Sequence, residues 1–361
     1  MYTRYQTRTI NVGGVLVGGG NPVTIQSMTN TDTRNITATV NQIHSLTKAG
    51  CEIVRVAVPD MEAAKALYEI KKAISIPLVA DIHFDYRLAL AAIEYGADKL
   101  RINPGNIGDP SRVRQVVEAA RGKGIPIRVG VNGGSLEKEL YAKYGGVTAE
   151  ALCESVIQHI RILESYDFYD MALSIKASDV PLTLGAHRLL CEQVNYPLHI
   201  GITEAGTPYR GAIKSSAGIG ALLAMGIGDT VRVSLTGDPV EEIRCAKIIL
   251  EAMGLRRFGT QIISCPTCGR TEIDLVAIAA KVESYCETLD SQNHKPITIA
   301  IMGCVVNGPG EAREADFGIA GGKGHGVLFR KGEVIKKIPQ ENLADALIAE
   351  IDNILQEHNS L

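Results

Sequence analysis

The chain has no tryptophan and only 5 phenylalanines among its 361 residues. Any core it forms must therefore be built from branched aliphatic side chains and alanine. No apolar run approaches the length of a bilayer span, so a membrane is not an expected partner. The opening Met1-Tyr-Thr-Arg-Tyr-Gln-Thr-Arg8 lacks the apolar centre of a secretory signal. An excess of positive charge is missing too: the formal net charge is −3, which sets up no basic field for nucleic acid. Without a secretion signal, the glycosylation pattern at Asn35-Ile-Thr37 carries no weight. A cytoplasmic location is expected, where the 8 cysteines serve as thiols or ligands rather than disulfides. With 45% hydrophobic and 21% charged residues, the rest is the composition of an ordinary folded protein.

What is present is an alternation. Short β-branched runs at 23–29, 53–59, 77–83, 99–104, 126–132, 171–178, 198–203 and 230–236 are each followed by a stretch of helical period. Capping residues open many of these helices, among them Asp60, Asp85, Asp109, Thr148 and Asp238. Glycines close several, as at Gly50, Gly96, Gly124, Gly226 and Gly254. Strand–helix units of this number and size predict a closed (β/α)8 TIM barrel over residues 1–258. A doubly wound sheet would want a glycine-rich loop after its first strand, whereas Gly18-Gly-Gly20 precedes it. Past residue 258 the alternation stops. Helix 272–289, strand 297–302, short strands near 317–320, 326–330 and 334–336, and a final helix 341–356 predict a smaller α/β domain over 259–361.

Side chains of a strand alternate between its two faces, so parity separates barrel interior from exterior. Arg55, Arg101, Arg128, Lys176 and Arg232 all fall on the inward parity, together with Asp81, His83, Asn103, Asn132, Ser174 and Ser234. Barrel interiors are filled mainly by branched aliphatics, and an unpaired buried charge is costly. Any one of these cations reads as half of an ion pair with Asp81 or Glu204. Together they call for an anionic ligand with more than one phosphate-like charge, and arginine at four of the five positions favours a bidentate grip. Glu204, just past the seventh strand, is either a proton donor or a partner for an arginine. His83 could be half of a metal pair, although a histidine at a strand end more often bonds a neighbour.

The cysteines divide. Cys51, Cys153, Cys191, Cys245 and Cys286 sit at strand or helix positions with apolar spacing and are assigned no chemistry. Cys265-Pro-Thr-Cys268-Gly forms a knuckle, and Gly303-Cys304-Val-Val-Asn-Gly-Pro-Gly-Glu311 carries a third thiol and a carboxylate. A structural zinc usually adds a second pair nearby, and none follows here. Three thiols with an oxygen donor fit an iron–sulfur cluster better, so spacing favours iron–sulfur and leaves zinc open. A multi-phosphate pocket and such a centre in one chain suggest redox chemistry on a small phosphorylated molecule. The rival is a Schiff-base aldolase using Lys176, with a structural zinc knuckle; a cluster-bearing redox sensor is the non-enzymatic alternative.

Eight stretches resemble one family. They are Gln26-Ser-Met-Thr-Asn-Thr-Asp-Thr33, Ala80-Asp-Ile-His83, Arg101-Ile-Asn-Pro-Gly-Asn106, Arg128-Val-Gly-Val-Asn132, Ser174-Ile-Lys-Ala-Ser178, Gly201-Ile-Thr-Glu-Ala-Gly206, the Cys265 knuckle and Met302-Gly-Cys-Val-Val-Asn-Gly-Pro-Gly-Glu311. The chain is similar along its whole length to the 4-hydroxy-3-methylbut-2-enyl diphosphate synthases of the methylerythritol phosphate route to isoprenoids, in their compact bacterial form. The resemblance implies reductive ring opening and dehydroxylation of 2-C-methyl-D-erythritol 2,4-cyclodiphosphate, with two electrons delivered through a 4Fe–4S cluster. It implies Cys265, Cys268, Cys304 and Glu311 as ligands, with Glu311 also a catalytic residue as the exchangeable ligand, and Glu204 as the acid. Arg55, Arg101, Arg128, Lys176, Arg232 and Ser234 would hold the diphosphate. Asp81, His83, Asn103, Asn132 and Asn307 would position the remainder, with Ser174 beside them. A flavodoxin or ferredoxin donor and a homodimer are implied in the same way.

Overall fold

The structure is a computed structural model, and it describes residues 4–289, 296–304, 312 and 314–359. The chain divides into two compact units, Met1–Arg256 and Arg257–Leu361.

The first unit opens with a hairpin, β1 (Thr9–Val12) and β2 (Val15–Gly18), joined by Gly13-Gly14. Two glycines with positive φ make the tight turn such a hairpin needs. The barrel strands follow, each with its helix: β3 (Thr24–Met28) and α1 (Ile36–Ala49), β4 (Ile53–Ala57) and α2 (Met61–Ala73), β5 (Leu78–Asp81) and α3 (Tyr86–Glu94), β6 (Lys99–Ile102) and α4 (Pro110–Lys123). After β7 (Ile127–Asn132) come α5 (Lys138–Tyr144) and α6 (Ala149–Glu164). Then follow β8 (Met171–Lys176) and α7 (Val180–Cys191), β9 (His199–Ile200) and α8 (Pro208–Ala224), β10 (Thr230–Val231) and α9 (Pro239–Ala252). The eight strands are all parallel in the order β8-β7-β6-β5-β4-β3-β10-β9, and a bridge from Leu173 to Leu198 closes the ring. The barrel expected from the alternation is present. β9 and β10 are shorter than their apolar runs; beyond β9 the chain passes through Gly201 and then Glu204, which takes a left-handed φ of 51°.

Local chemistry sets the helix ends. Asp60 accepts the Ala63 N–H at 2.9 Å, Asp179 the Leu182 N–H at 2.7 Å, and Asp109 caps a helix whose first residue is Pro110. Ile10, Val12 and Val17 of the hairpin pack with Ile53, Val79 and Ala172, near the starts of β4, β5 and β8. The hairpin thus plugs the N-terminal end of the barrel, leaving the opposite end, where the loops are longer, for a site.

In the second unit β11 (Thr260–Ser264), β12 (Ile297–Met302) and β13 (Phe317–Gly322) run parallel, and β14 (His325–Arg330) and β15 (Glu333–Pro339) continue the sheet antiparallel. One face packs against α10 (Leu275–Leu289) and α11 (Leu343–Asn359), through Ile278, Val282, Leu347 and Ile351 among others. Each such buried aliphatic contributes about 1.5–3 kcal/mol. Ala300, Met302, Ala320 and Phe329 form a second cluster.

Candidate active site

A cavity of about 120 Å³ opens at the C-terminal end of the barrel. Its walls hold Arg55, Asp81 and His83 from one side, Arg101, Arg128 and Asn132 next to them, and Ser174, Lys176, Arg232 and Ser234 opposite. These are the inward positions named from strand parity. Thr203 also lines it, which parity of the seventh strand permits although it was not singled out.

Arg128 is 1% exposed, and its Nε and Nη1 have no hydrogen-bond partner. The same holds for Lys176 Nζ and Arg232 Nε. Two carboxylates face these five cations. Asp81 Oδ1 lies 3.4 Å from Arg101 Nη1, and its Oδ2 lies 3.9 Å from Arg55 Nε. Glu242, at the start of α9, lies 3.7 Å from Arg232 Nε, and also accepts the Leu235 N–H at 3.0 Å. Arg55 turns its Nε and Nη2 onto Met28 Sδ at 3.1 and 2.8 Å, so even the paired guanidinium keeps donors on a weak acceptor. Gly130 makes room for this crowd, since a β-carbon there would lie 2.7 Å from Arg101 Nε.

The titration behaviour follows. Burial, with some relief from Asp81, pulls Arg55 down to about 10. Burial and the neighbouring arginines push Arg128 and Lys176 well below their ordinary values. Burial works to raise Asp81, but Arg55, His83 and Arg101 outweigh it and hold the carboxyl well below the usual range. Burial raises Glu242 against the pull of Arg232. The pocket thus carries an excess of cationic donors with unfilled hydrogen-bonding capacity, the arrangement that takes a polyanion.

Other expected residues lie elsewhere. Asn103 is buried but not in the cavity wall; its Oδ1 accepts the Gly105 N–H at 3.0 Å. Glu204 is exposed and also outside the wall. The acid beside the arginines, besides Asp81, is Glu242 rather than Glu204. Little in the sequence marks it, because Pro239-Val-Glu-Glu242 reads as an ordinary acidic first turn of a helix. His83 stands at the rim, its side chain 52% exposed, with Nε2 3.0 Å from Arg101 Nη1.

In the second unit the pairing of Ser264 with Ile301 brings the ends of β11 and β12 side by side. Cys265 Sγ accepts the Gly303 N–H at 3.1 Å, and Cys304 follows at once. The Cys268 N–H donates to Thr271 Oγ1 at 3.1 Å, closing the knuckle, and the Glu272 N–H donates to Gly303 O at 3.1 Å. The Arg270 backbone N–H lowers the Cys268 thiol. Among the described residues no three Cys, His, Asp or Glu side chains close around a metal position. Asn307 and Glu311 lie outside the described residues. The donor chemistry still fits a thiolate-bound iron group: two thiols from the knuckle and one from the adjacent strand end, with N–H groups directed at sulfur.

The TIM-barrel domain of the GcpE family matches residues 7–247, and the GcpE protein C-terminal domain matches residues 261–353. The chain is 58% identical over 351 residues to the 4-hydroxy-3-methylbut-2-en-1-yl diphosphate synthase (flavodoxin) of Ruminiclostridium cellulolyticum, covering 97% of this chain and 98% of the relative. It is 58% identical to the enzyme of the same name from Geobacter sulfurreducens, over 98% of this chain and 99% of the relative. A dihydropteroate synthase structure from Stenotrophomonas maltophilia aligns with TM-score 0.51 at 13% identity, over 69% of this chain and 100% of that one, a likeness of fold alone.

Proposed function

The chain belongs to the GcpE family, and on that premise we propose that its barrel cavity binds 2-C-methyl-D-erythritol 2,4-cyclodiphosphate through the diphosphate. It is an oxidoreductase, a 4-hydroxy-3-methylbut-2-en-1-yl diphosphate synthase, and it opens the cyclic diphosphate and removes a hydroxyl reductively. The observation that carries the reading is the largely buried cluster of Arg55, Arg101, Arg128, Lys176 and Arg232, with donors unfilled on Arg128, Lys176 and Arg232. A Schiff-base aldolase acting through Lys176 is the weaker reading, since relatives at 58% identity bear the name of the reductive synthase.

The arginines and Lys176 replace the hydration of the diphosphate, with Ser234 donating beside them. Asp81 and Glu242 keep the arginine forks in place while leaving their outer N–H groups to the ligand. Asn132, Ser174 and His83 orient the polyol part, with Asn103 and Asn307 assigned to the same task. Glu204 is assigned as the acid that protonates the departing oxygen; its place directly after Thr203, which lines the cavity, supports this. A 4Fe–4S cluster held by Cys265, Cys268, Cys304 and Glu311 would supply electrons singly at low potential.

Flavodoxin, named in the relatives, is the proposed donor. A homodimer is carried by the family resemblance. A cytoplasmic location agrees with all eight cysteines being free thiols, and no helix among the described residues is long and apolar enough to cross a membrane. Purified without oxygen, the protein is expected to be brown, with about four irons and about four sulfides per chain. Colourless protein holding zinc overturns the cluster assignment.

A further inference from the structure

His159 sits on α6, in the outer ring of helices, yet it is only 4% exposed. Two loops close over it, and both leave strands that line the cavity. Its Nε2–H donates to Glu137 Oε1 at 2.9 Å. Glu137 ends the loop after β7, whose single 3-10 turn, Gly133–Ser135, is tied back by the Ser135 hydroxyl donating to Asn132 O at 3.2 Å. The loop after β6 lies against the same ring: a β-carbon on Gly105 would stand 2.5 Å from His159 Cε1. Glycine is needed there for space, since its φ is not left-handed. The Gly105 N–H in turn donates to Asn103 Oδ1 at 3.0 Å.

We propose that His159 is a positioning residue for substrate binding, a post that fixes the loop carrying Asn103 and the loop that begins directly after Asn132. Glu137 is at once the last residue of the loop after β7 and the residue that precedes α5, so the bond fixes where that loop ends. His159 thus spends its hydrogen bond on the end of one substrate loop and its ring edge on the other. The His159 bond also holds the Glu137 carboxyl below its ordinary value against the effect of burial. The inference rests on the reading that the asparagines of these loops serve the cyclodiphosphate.

The test uses oxygen-free holoenzyme, with calorimetric Kd for the cyclodiphosphate beside KM, kcat and melting temperature. His159→Ala is expected to raise Kd and KM about 10-fold while kcat changes little. His159→Gln, which keeps an N–H toward Glu137, recovers most of the affinity. Gly105→Ala, on an exposed loop, weakens binding too, and the double variant is no worse than either single because both act through one contact. His159→Ala with lowered melting temperature but unchanged Kd and KM would make the residue merely structural and overturn the proposal. Asn103→Ala and Asn132→Ala separate the two readings. If they weaken binding while the His159 and Gly105 variants do not, only this inference falls; if they have no effect, the asparagine assignment fails and the inference with it.

Discussion

Asp81 stands between Arg101, 3.4 Å from its Oδ1, and Arg55, 3.9 Å from its Oδ2, and its Oδ1 makes no hydrogen bond to either. It neutralises the pair by charge and leaves their donors for a ligand. Removing one partner from a buried ion pair costs about 3–5 kcal/mol. Asp81→Asn should lower the melting temperature of the ligand-free protein, and inorganic diphosphate should recover more of it than in the wild type. A variant that melts like the wild type would show that Asp81 is not the counter-ion described here.

Arg128 presents the opposite balance. It is 1% exposed, surrounded by arginines, with two nitrogens unbonded. Replacing an uncompensated buried charge by an apolar side chain is often neutral or stabilising. Arg128→Met should therefore raise the melting temperature of the ligand-free protein while weakening cyclodiphosphate binding by about 10-fold or more, ~1.4 kcal/mol. A destabilised variant with intact affinity would contradict a ligand-directed role.

Lys176 titrates with its ligand. Burial, then Arg232 and Arg128, hold it well below 10.5 when the site is free, and a bound diphosphate would raise it. Affinity should then be constant below the free pKa and fall as pH rises through it toward the bound pKa. Calorimetry in buffers of different ionisation enthalpy should record proton uptake that disappears in Lys176→Met. Borohydride with substrate should leave Lys176 unmodified; a stable adduct would revive the aldolase chemistry.

His187 offers a test of the barrel itself. Its Nδ1–H donates to Thr183 O at 2.8 Å, its Nε2 has no partner, and burial pulls it down to about 4 from 6.5. The folded state resists protonating it, so stability should be unaffected above pH 6.5 and fall between about 6.5 and 4 as the unfolded chain takes up the proton. The full difference is about 3 kcal/mol, from ~1.4 per unit. His187→Asn should remove that part of the slope in chemical unfolding measured across this range, and an unchanged slope would assign it to other groups.

How much of this was legible in the sequence depends on what decides each feature. Period and caps are local, so the barrel units and most helix starts could be read directly, Asp60 and Asp109 among them. Inward parity is local too, and it found Arg55, Arg101, Arg128, Lys176 and Arg232. The plug formed by β1 and β2 is marked only by Val12-Gly13-Gly14-Val15, because strands of four residues are too short to show a clear period. Glu242 carries no mark in the sequence, because the turn that folds α9 back onto Arg232 has no pattern of its own and the Ser27 hydroxyl of β3 reaches Glu242 only when the ring of strands closes. Asn103 is outside the cavity wall because β6 ends at Ile102, so parity no longer governs it, and its buried amide oxygen takes the nearest N–H, that of Gly105.

The most direct test is turnover of 2-C-methyl-D-erythritol 2,4-cyclodiphosphate by oxygen-free protein with reduced flavodoxin, followed by product analysis. The account predicts 4-hydroxy-3-methylbut-2-enyl diphosphate, with loss of product in Arg232→Ala at an unchanged iron content. Iron-replete protein that binds the cyclodiphosphate but never reduces it, or an Arg232→Ala variant with undiminished turnover, would contradict it.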